Sequence, residues 1–347
     1  MKQQCFLHKN FCKNQSPRIF MYFCAMQTND IQKAAHIIAG GGLVAFPTET
    51  VYGLGANALN PEAVAKIFAA KERPSFDPLI VHIDSFDWFA KLTTNVPAEI
   101  SPFLEQFMPG PLTVVLPKSD IVPDIVTSGL NTVGIRMPAN DIARKLIQLS
   151  GCPIAAPSAN KFGQLSPSTA AHVRKQLPNI DYILDGGSTS VGIESTIITF
   201  NNNECTLLRP GIITPEEIEK HLPLGYTLTT KKSKSIIAPG LLQSHYSPKK
   251  PLFIFDTLPS SFPPKSGLIL HAEQAIPAIE RSIFTSLNGN LLEVAAHLFS
   301  ALHTMEDTPN IERIYIQSVA PQGLGIAIMD RMKKAAFQYQ TENSQYI

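Results

Sequence analysis

At 347 residues the chain is too long for one ordinary core and calls for two domains of about 100–200 residues each. Its 44% apolar and 16% charged residues describe a soluble globular protein, and a net charge of +1 excludes one built to coat nucleic acid, so any RNA contact is local. No stretch approaches the ~20 apolar residues of a membrane span, and Cys5, Cys12, Cys24, Cys152 and Cys205 lack paired spacing, which implies free thiols in a reducing, cytoplasmic compartment.

Residues 1–26 differ from the rest of the chain. They hold three of the five cysteines and end in the short apolar run 19–25, without the order of charge, long apolar core and small residues that marks a signal peptide. They read as a disordered extension, or as sequence upstream of a true start at Met26. A zinc site from Cys5, His8, Cys12 and Cys24 does not match the usual short ligand pairs. A catalytic domain is expected over 27–218. Asp30 suits the cap of a helix over 31–39, which Gly40, Gly41 and Gly42 stop.

The segment 41–83 is the most informative. Residues 43–46 form an apolar run suited to a buried strand, ended by Pro47, which has no N–H to donate. Thr48 and Thr50 are two apart and face the same side if the chain stays extended. A Gly-rich polar turn follows. Asn60 is a good N-cap, Pro61 a good first residue and Glu62 favours the positive end of the dipole, so a helix is expected over 61–72, stopped by Pro74. Lys71 and Arg73 then stand where helix gives way to loop. Two cations there either stabilise the dipole or grip a polyphosphate ahead of a strand over 79–83.

Further strands are expected over 113–116, 133–137, 153–156, 182–184, 196–200 and 206–208. Helical patterns fit 99–108, 141–149 and 168–177, the last with Ser168 as its cap. Strands mixed irregularly with helices give an α/β or α+β fold with one large, twisted, mixed sheet flanked by helices. A linker over 219–250 carries Lys231, Lys232, Lys234, Pro239, Gly240 and the segment HYSP at 245–248. Beyond it, strands over 252–255, 267–270 and 311–316 alternate with helices over 291–302 and 325–337. That spacing suggests a small parallel, Rossmann-like βαβ domain over 251–340 without a GxGxxG fingerprint.

Polar clusters recur at the ends of the expected strands, where α/β sheets place ligands. NTVGIRMP holds Thr132 and Arg136; an arginine in an apolar strand either snorkels at an edge or holds a carboxylate. APSANKFG holds Ala156, Ser158 and Asn160, either an anion-binding turn or an ordinary polar one. GIESTI holds Glu194 and Ser195, and LLRPG holds Arg209. His82 lies on an apolar strand, where a satisfied core histidine is the more common role.

The order and wording of FPTETVYGLG, KERP, PLIVHI, PGPLT, VGIRMP, APSAN, ESTI, LLRPG, APG with HYSP, and IAIMDRMKKAA closely resemble the YrdC-like family of threonylcarbamoyl-AMP synthases, in its long form with an extra C-terminal domain. The resemblance runs from about Gln27 to Phe337. It implies an enzyme, a nucleotidyltransferase that makes threonylcarbamoyl-AMP and pyrophosphate from L-threonine, bicarbonate and ATP for modification of tRNA. It implies Lys71 and Arg73 as catalytic residues, and Thr50, His82, Arg136 and Ser195 around threonine, with Arg136 on its carboxylate. Lys71, Arg73, Asp77, Thr132, Ala156, Ser158, Asn160, Ser166, Arg209 and His245 would then hold the nucleotide. No resident metal site is expected; Mg2+ would arrive with ATP and keep its waters. The labile product would pass to tRNA threonylcarbamoyl-transfer proteins, with a local tRNA contact and no membrane.

Because carbamate and product both hydrolyse, a linker carrying His245 and Tyr246 would serve as a lid. Two departures stand out. Leu242, Gln243 and Ser244 replace the basic residues common in relatives, and Asp77 replaces a frequent asparagine, a carboxylate that would repel phosphate unless it faces away or meets the metal. A nucleotide- or RNA-binding module without turnover is the rival reading. Carbamoyl-adenylate formation from carbamoyl phosphate, as in larger hydrogenase-maturation proteins, is a second; no paired CxxC motif supports it.

Overall fold

The computed structural model describes residues 17–230 and 245–340. The expected cysteine-rich start (1–16) and the linker residues 231–244, with their lysines and Leu242, Gln243 and Ser244, lie outside the described residues, and the Cys5, His8, Cys12, Cys24 grouping falls there in large part. Among the described residues no helix is long and apolar enough to cross a membrane.

The first unit is built on a ten-stranded sheet. Helix α1 (Pro17–Ala39) leads into β1 (Val44–Phe46), β2 (Gly53–Asn57), α2 (Pro61–Lys71), β3 (Ile80–His82), α3 (Asp87–Leu92), α4 (Ser101–Phe107), β4 (Leu112–Pro117) and α5 (Asp124–Thr127). Then come β5 (Thr132–Arg136), α6 (Asp141–Ser150), β6 (Ile154–Ala155), α7 (Ala170–Gln176), β7 (Tyr182–Ile183), β8 (Thr196–Asn201), β9 (Glu204–Arg209), α8 (Pro215–His221) and β10 (Thr227–Thr229). The sheet order is β10-β9-β8-β4-β5-β3-β6-β2-β1-β7. Parallel pairs such as β3 with β5 and β4 with β8 alternate with antiparallel ones, so the sheet is mixed as expected.

Strand alternation sorts side chains to two faces. Ala45 joins the larger core under α2 and α4, while its neighbours Val44 and Phe46 face the opposite way, onto α1 and α6. Burial on both faces is why these strands read as short continuous apolar runs.

The second unit carries β11 (Leu252–Phe255), β12 (Ser266–Leu270), β13 (Arg281–Phe284), α9 (Leu291–Asp307), β14 (Arg313–Gln317) and α10 (Leu324–Gln340). Its four strands, in the order β11-β14-β12-β13, are all parallel, the Rossmann-like character foreseen. Its core does not end at the linker: Val51, Leu165 and Ile193 of the first unit pack into the same buried cluster as Leu298, Phe299 and Ile328.

Several local expectations need correction. α1 runs straight through Asp30 and takes in residues 17–26, whose composition reads as a disordered extension; no Pro or Gly interrupts 18–39, so nothing stops the helix at Asp30. Thr169, not Ser168, caps α7, its side chain accepting the His172 N–H at 3.2 Å. The Gly-rich stretch after Tyr52 is the buried strand β2 rather than a turn. β10 occupies part of the expected linker, and β13, half exposed and poor in pattern, carried no sequence signal.

Candidate active site

The loop between β1 and β2 gives the site its floor. Pro47 ends β1, and Thr48 then folds the chain back on itself: its hydroxyl accepts from the N–H groups of Thr50 and Val51 at 3.2 Å each and donates to Val51 O at 2.7 Å. With that proton spent, the 2.8 Å contact between the two threonine hydroxyls is a donation from Thr50. Thr50 Oγ1 in turn accepts from Arg136 Nη1 at 2.9 Å. Glu49 holds the other side of the same guanidinium, receiving Nη2 at 2.8 Å. Arg136 Nε is buried and has no partner among the described residues.

Register brings His82 beside Arg136. The two are paired across β3 and β5, and both side chains line one hollow with Thr48, Thr50 and Ser195. Burial, and secondarily the Arg136 charge, push the His82 imidazole down to about 3, so it is neutral at physiological pH, and its Nδ1 has no partner among the described residues.

The nucleotide-side residues come from four places. Helix α2 is capped by Asn60, whose side chain accepts from Glu62 and Ala63 N–H at 3.0 and 3.1 Å, and ends in Glu72 at φ 54°. Arg73, just beyond, is fixed by donation from Nε to Asp77 O (3.0 Å) and from Nη2 to Pro78 O (2.9 Å). The Ala156–Ser158 segment continues β6 past β2, anchored by Ala156 N–H to Ile80 O at 2.9 Å. Ser195 heads β8, with Thr113 Oγ1 at 2.8 Å and Arg209 Nη2 at 3.0 Å from its hydroxyl, while Arg209 Nε and Nη2 also hold Ser195 O. His245 and Tyr246 close the rim from the linker's end. Tyr246 adopts φ 64°, a left-handed conformation that a bulky residue keeps only when packing enforces it, and its ring is buried against Phe299.

Thr50, Arg73, His82, Arg136, Ala156, Ser158, Ser195, Arg209 and His245 thus converge on the hollow as foreseen. Others in the expected set do not line it. Lys71 is buried behind the wall, donating Nζ to Ser158 O at 2.6 Å and to Asn160 O, so it props the Ser158 loop. Asn160 bonds Lys161 O and Gln164 O at 2.8 Å each, and Ser166 donates to Glu194 at 2.5 Å. Thr132 opens β5 opposite Pro117, about 13 Å up the strand from Arg136. Asp77 meets Arg73 at 2.9 Å, which answers the concern that its charge would confront phosphate.

The field in the hollow is cationic but buffered. Burial lowers the affinity of Lys71, Arg73 and Arg209 for their protons, Lys71 most strongly. Burial also raises the Asp77 carboxyl, against the pull of Arg73, Lys71 and Arg209. His245 is driven well below its ordinary range by burial and then by the charges of Arg73, Lys71, Lys334 and Arg209, which leaves it a neutral hydrogen-bonding group. Glu49 and Arg331 escape a sequence reading. Their motifs are in view, but each acts through a partner far away in sequence, Arg136 and Glu194 respectively.

Two family models cover the chain. One, the Sua5–YciO–YrdC model described as telomere recombination, matches residues 36–211; the other, described as the threonylcarbamoyl-AMP synthase C-terminal domain, matches residues 213–337. The chain belongs to the Sua5/YrdC family. Among curated family members, the threonylcarbamoyl-AMP synthase of Pyrococcus abyssi is 42% identical over 88% of this chain and 94% of its own length. That of Bacillus subtilis is 40% identical over 90% and 94%, and that of Schizosaccharomyces pombe 33% identical over 88% of each. The crystal structure of P. abyssi Sua5 complexed with L-threonine superposes with a TM-score of 0.80 at 40% identity, covering 88% of this chain and 94% of that one. The two-unit architecture is therefore shared with the P. abyssi protein.

Proposed function

We propose that this protein is a threonylcarbamoyl-AMP synthase, a nucleotidyltransferase that joins L-threonine, bicarbonate and ATP and releases pyrophosphate, supplying tRNA threonylcarbamoylation in the cytoplasm. The observation that carries this is the convergence of Arg73, Arg136 and Arg209 with Thr50, His82, Ser158 and Ser195 on one hollow, in a chain that matches curated synthases over nearly their full length.

The chemistry needs no protein nucleophile. Threonine's amine adds to CO2 from bicarbonate, a carbamate oxygen attacks the α-phosphorus of ATP, and pyrophosphate leaves with the electron pair of the broken P–O bond. What the site supplies is placement and charge compensation. The Arg136 Nε–H, on the guanidinium nitrogen that has no partner among the described residues, would meet the threonine carboxylate, and neutral His82 and the remaining lone pair of Thr50 accept from threonine's polar hydrogens. Arg73, Arg209 and the Ser158 turn, propped by Lys71, receive the phosphates. His245 and Tyr246 cover the rim and limit water, which would hydrolyse carbamate and product alike.

Mg2+ fits this donor set only as a companion of ATP. The carboxylates nearby are engaged by arginines, and no group of three metal-ligating side chains occurs among the described residues, so phosphate oxygens and water would supply most of its ligands. Its chemistry when bound is to offset phosphate charge. The product passes to proteins that transfer it to tRNA.

Incubation with ATP, Mg2+, threonine and bicarbonate should give pyrophosphate that depends on threonine. ATP binding without threonine-dependent release would favour a nucleotide-binding module instead.

A further inference from the structure

Arg331 belongs to α10 of the second unit, yet its guanidinium is completely buried against the first. Nε donates to Glu194 Oε2 at 2.7 Å, Nη1 donates to Asp330 Oδ2 at 2.7 Å, and the guanidinium carbon lies 5.5 Å from the Tyr246 ring centre. Glu194 lines the hollow next to Ser195, and its other oxygen accepts from Ser166. Arg331 itself does not line the hollow.

A carboxylate in that wall would act on an incoming triphosphate through a medium of low polarity, where like charges repel far more strongly than in water. Glu194 is also ionised: burial alone would raise its carboxyl, but the Arg331 and Arg209 charges and the Ser166 bond outweigh burial and hold it below the ordinary range. The ion pair on that carboxylate comes from outside the first unit, from Arg331.

We propose that Arg331 is a positioning residue for nucleotide binding, supplied by the C-terminal unit to neutralise Glu194 so that this carboxylate fixes the Ser195 strand start without repelling the polyphosphate. The second unit is thereby part of the site's electrostatics and not only an anchor for the linker. This inference rests on ATP being the substrate.

The test uses the full chain with ATP and Mg2+, and with threonine separately, by titration calorimetry. Arg331→Met should weaken ATP about tenfold while threonine stays within about twofold, since the uncovered charge opposes phosphate above all. The double variant Arg331→Met/Glu194→Gln should recover ATP affinity to within about threefold of the unaltered chain, because a neutral pair removes the repulsion. Glu194→Gln alone, which leaves Arg331 its Asp330 partner, should bind ATP no more weakly than the unaltered chain. A double variant as weak for ATP as Arg331→Met, or a Glu194→Gln chain that loses ATP affinity, overturns the proposal. If Arg331→Met does not fold, as loss of one partner of a buried pair can cause, the double and Glu194→Gln variants still decide it. An unaltered chain that binds ATP but releases no threonine-dependent pyrophosphate sinks the synthase reading alone, and the ATP affinities still judge Arg331. One that binds no ATP sinks both.

Discussion

Arg73 and Asp77 stand one helical turn apart in sequence, and the guanidinium meets the carboxylate at 2.9 Å with both side chains buried. Arg73 therefore does two things, facing the hollow and compensating a buried acid. Arg73→Met should lower stability by about 3–5 kcal/mol, because it takes away the ion-pair partner of the buried Asp77, and should remove most pyrophosphate release. Adding Asp77→Asn should restore the unfolding midpoint but not turnover. Recovery of both in the double variant would leave Arg73 with a structural role only.

Lys71 acts on the nucleotide side at one remove. Its ammonium spans Ser158 O and Asn160 O, two carbonyls of the loop after β6. Lys71→Met should lose both bonds, each worth about 1.5–3 kcal/mol for a charged donor, and let the Ser158 turn drift. Calorimetry should show ATP affinity falling at least about tenfold with threonine affinity little changed, since the loop and not Arg136 has moved. An equal fall in both affinities would mean the whole hollow collapses.

What the sequence made legible was local. Asn60, Pro61 and Pro74 announce both ends of α2, and the short apolar runs announce the strands that are buried on two faces. β2 was hidden because its glycines serve packing: a Cβ on Gly55 would lie 2.7 Å from both Phe46 and Ile154, so the residues that mark a turn elsewhere here allow strands to press against a ring. Pairings across long separations left no trace. Nothing near Glu49 points to Arg136, 87 residues on, nor anything near Glu194 to Arg331, 137 residues on. The expected motifs thus meet at one hollow, while Lys71, Asn160 and Ser166 stand behind its lining, held by bonds to backbone carbonyls and to Glu194 that no local pattern announces.

Gly192 tests how far the two units act as one. It holds φ 77°, and a Cβ there would fall 2.3 Å from Ala295 O in α9. Gly192→Ala should cost at least about 1–2 kcal/mol from backbone conformation alone, with the collision added. Because Ile193, Glu194 and Ser195 come directly after it, thermal unfolding and pyrophosphate release should both suffer. A variant with lower melting temperature but full turnover would uncouple this interface from the site.

Acid should unfold the protein early, and histidines are the reason. Burial pushes His82 down to about 3 and His271 and His303 to about 4, the Arg136 charge adding to the effect at His82. In the unfolded chain each titrates near 6.5. Below that the unfolded state binds protons that the fold refuses, so stability is full above about pH 6.5 and falls with pH towards 4, by up to about 1.4 kcal/mol per pH unit for each group. His303 offers the cleanest check. It stacks on His172 across the two units with ring centres 3.9 Å apart, and its Nε2–H donates to Ser166 O at 3.1 Å. His303→Gln keeps an N–H donor and removes the titration. Denaturant unfolding between pH 6 and 5 should then show a dependence shallower by about 1 kcal/mol per pH unit than the unaltered chain, and an unchanged slope would show that His303 takes up its proton within the fold.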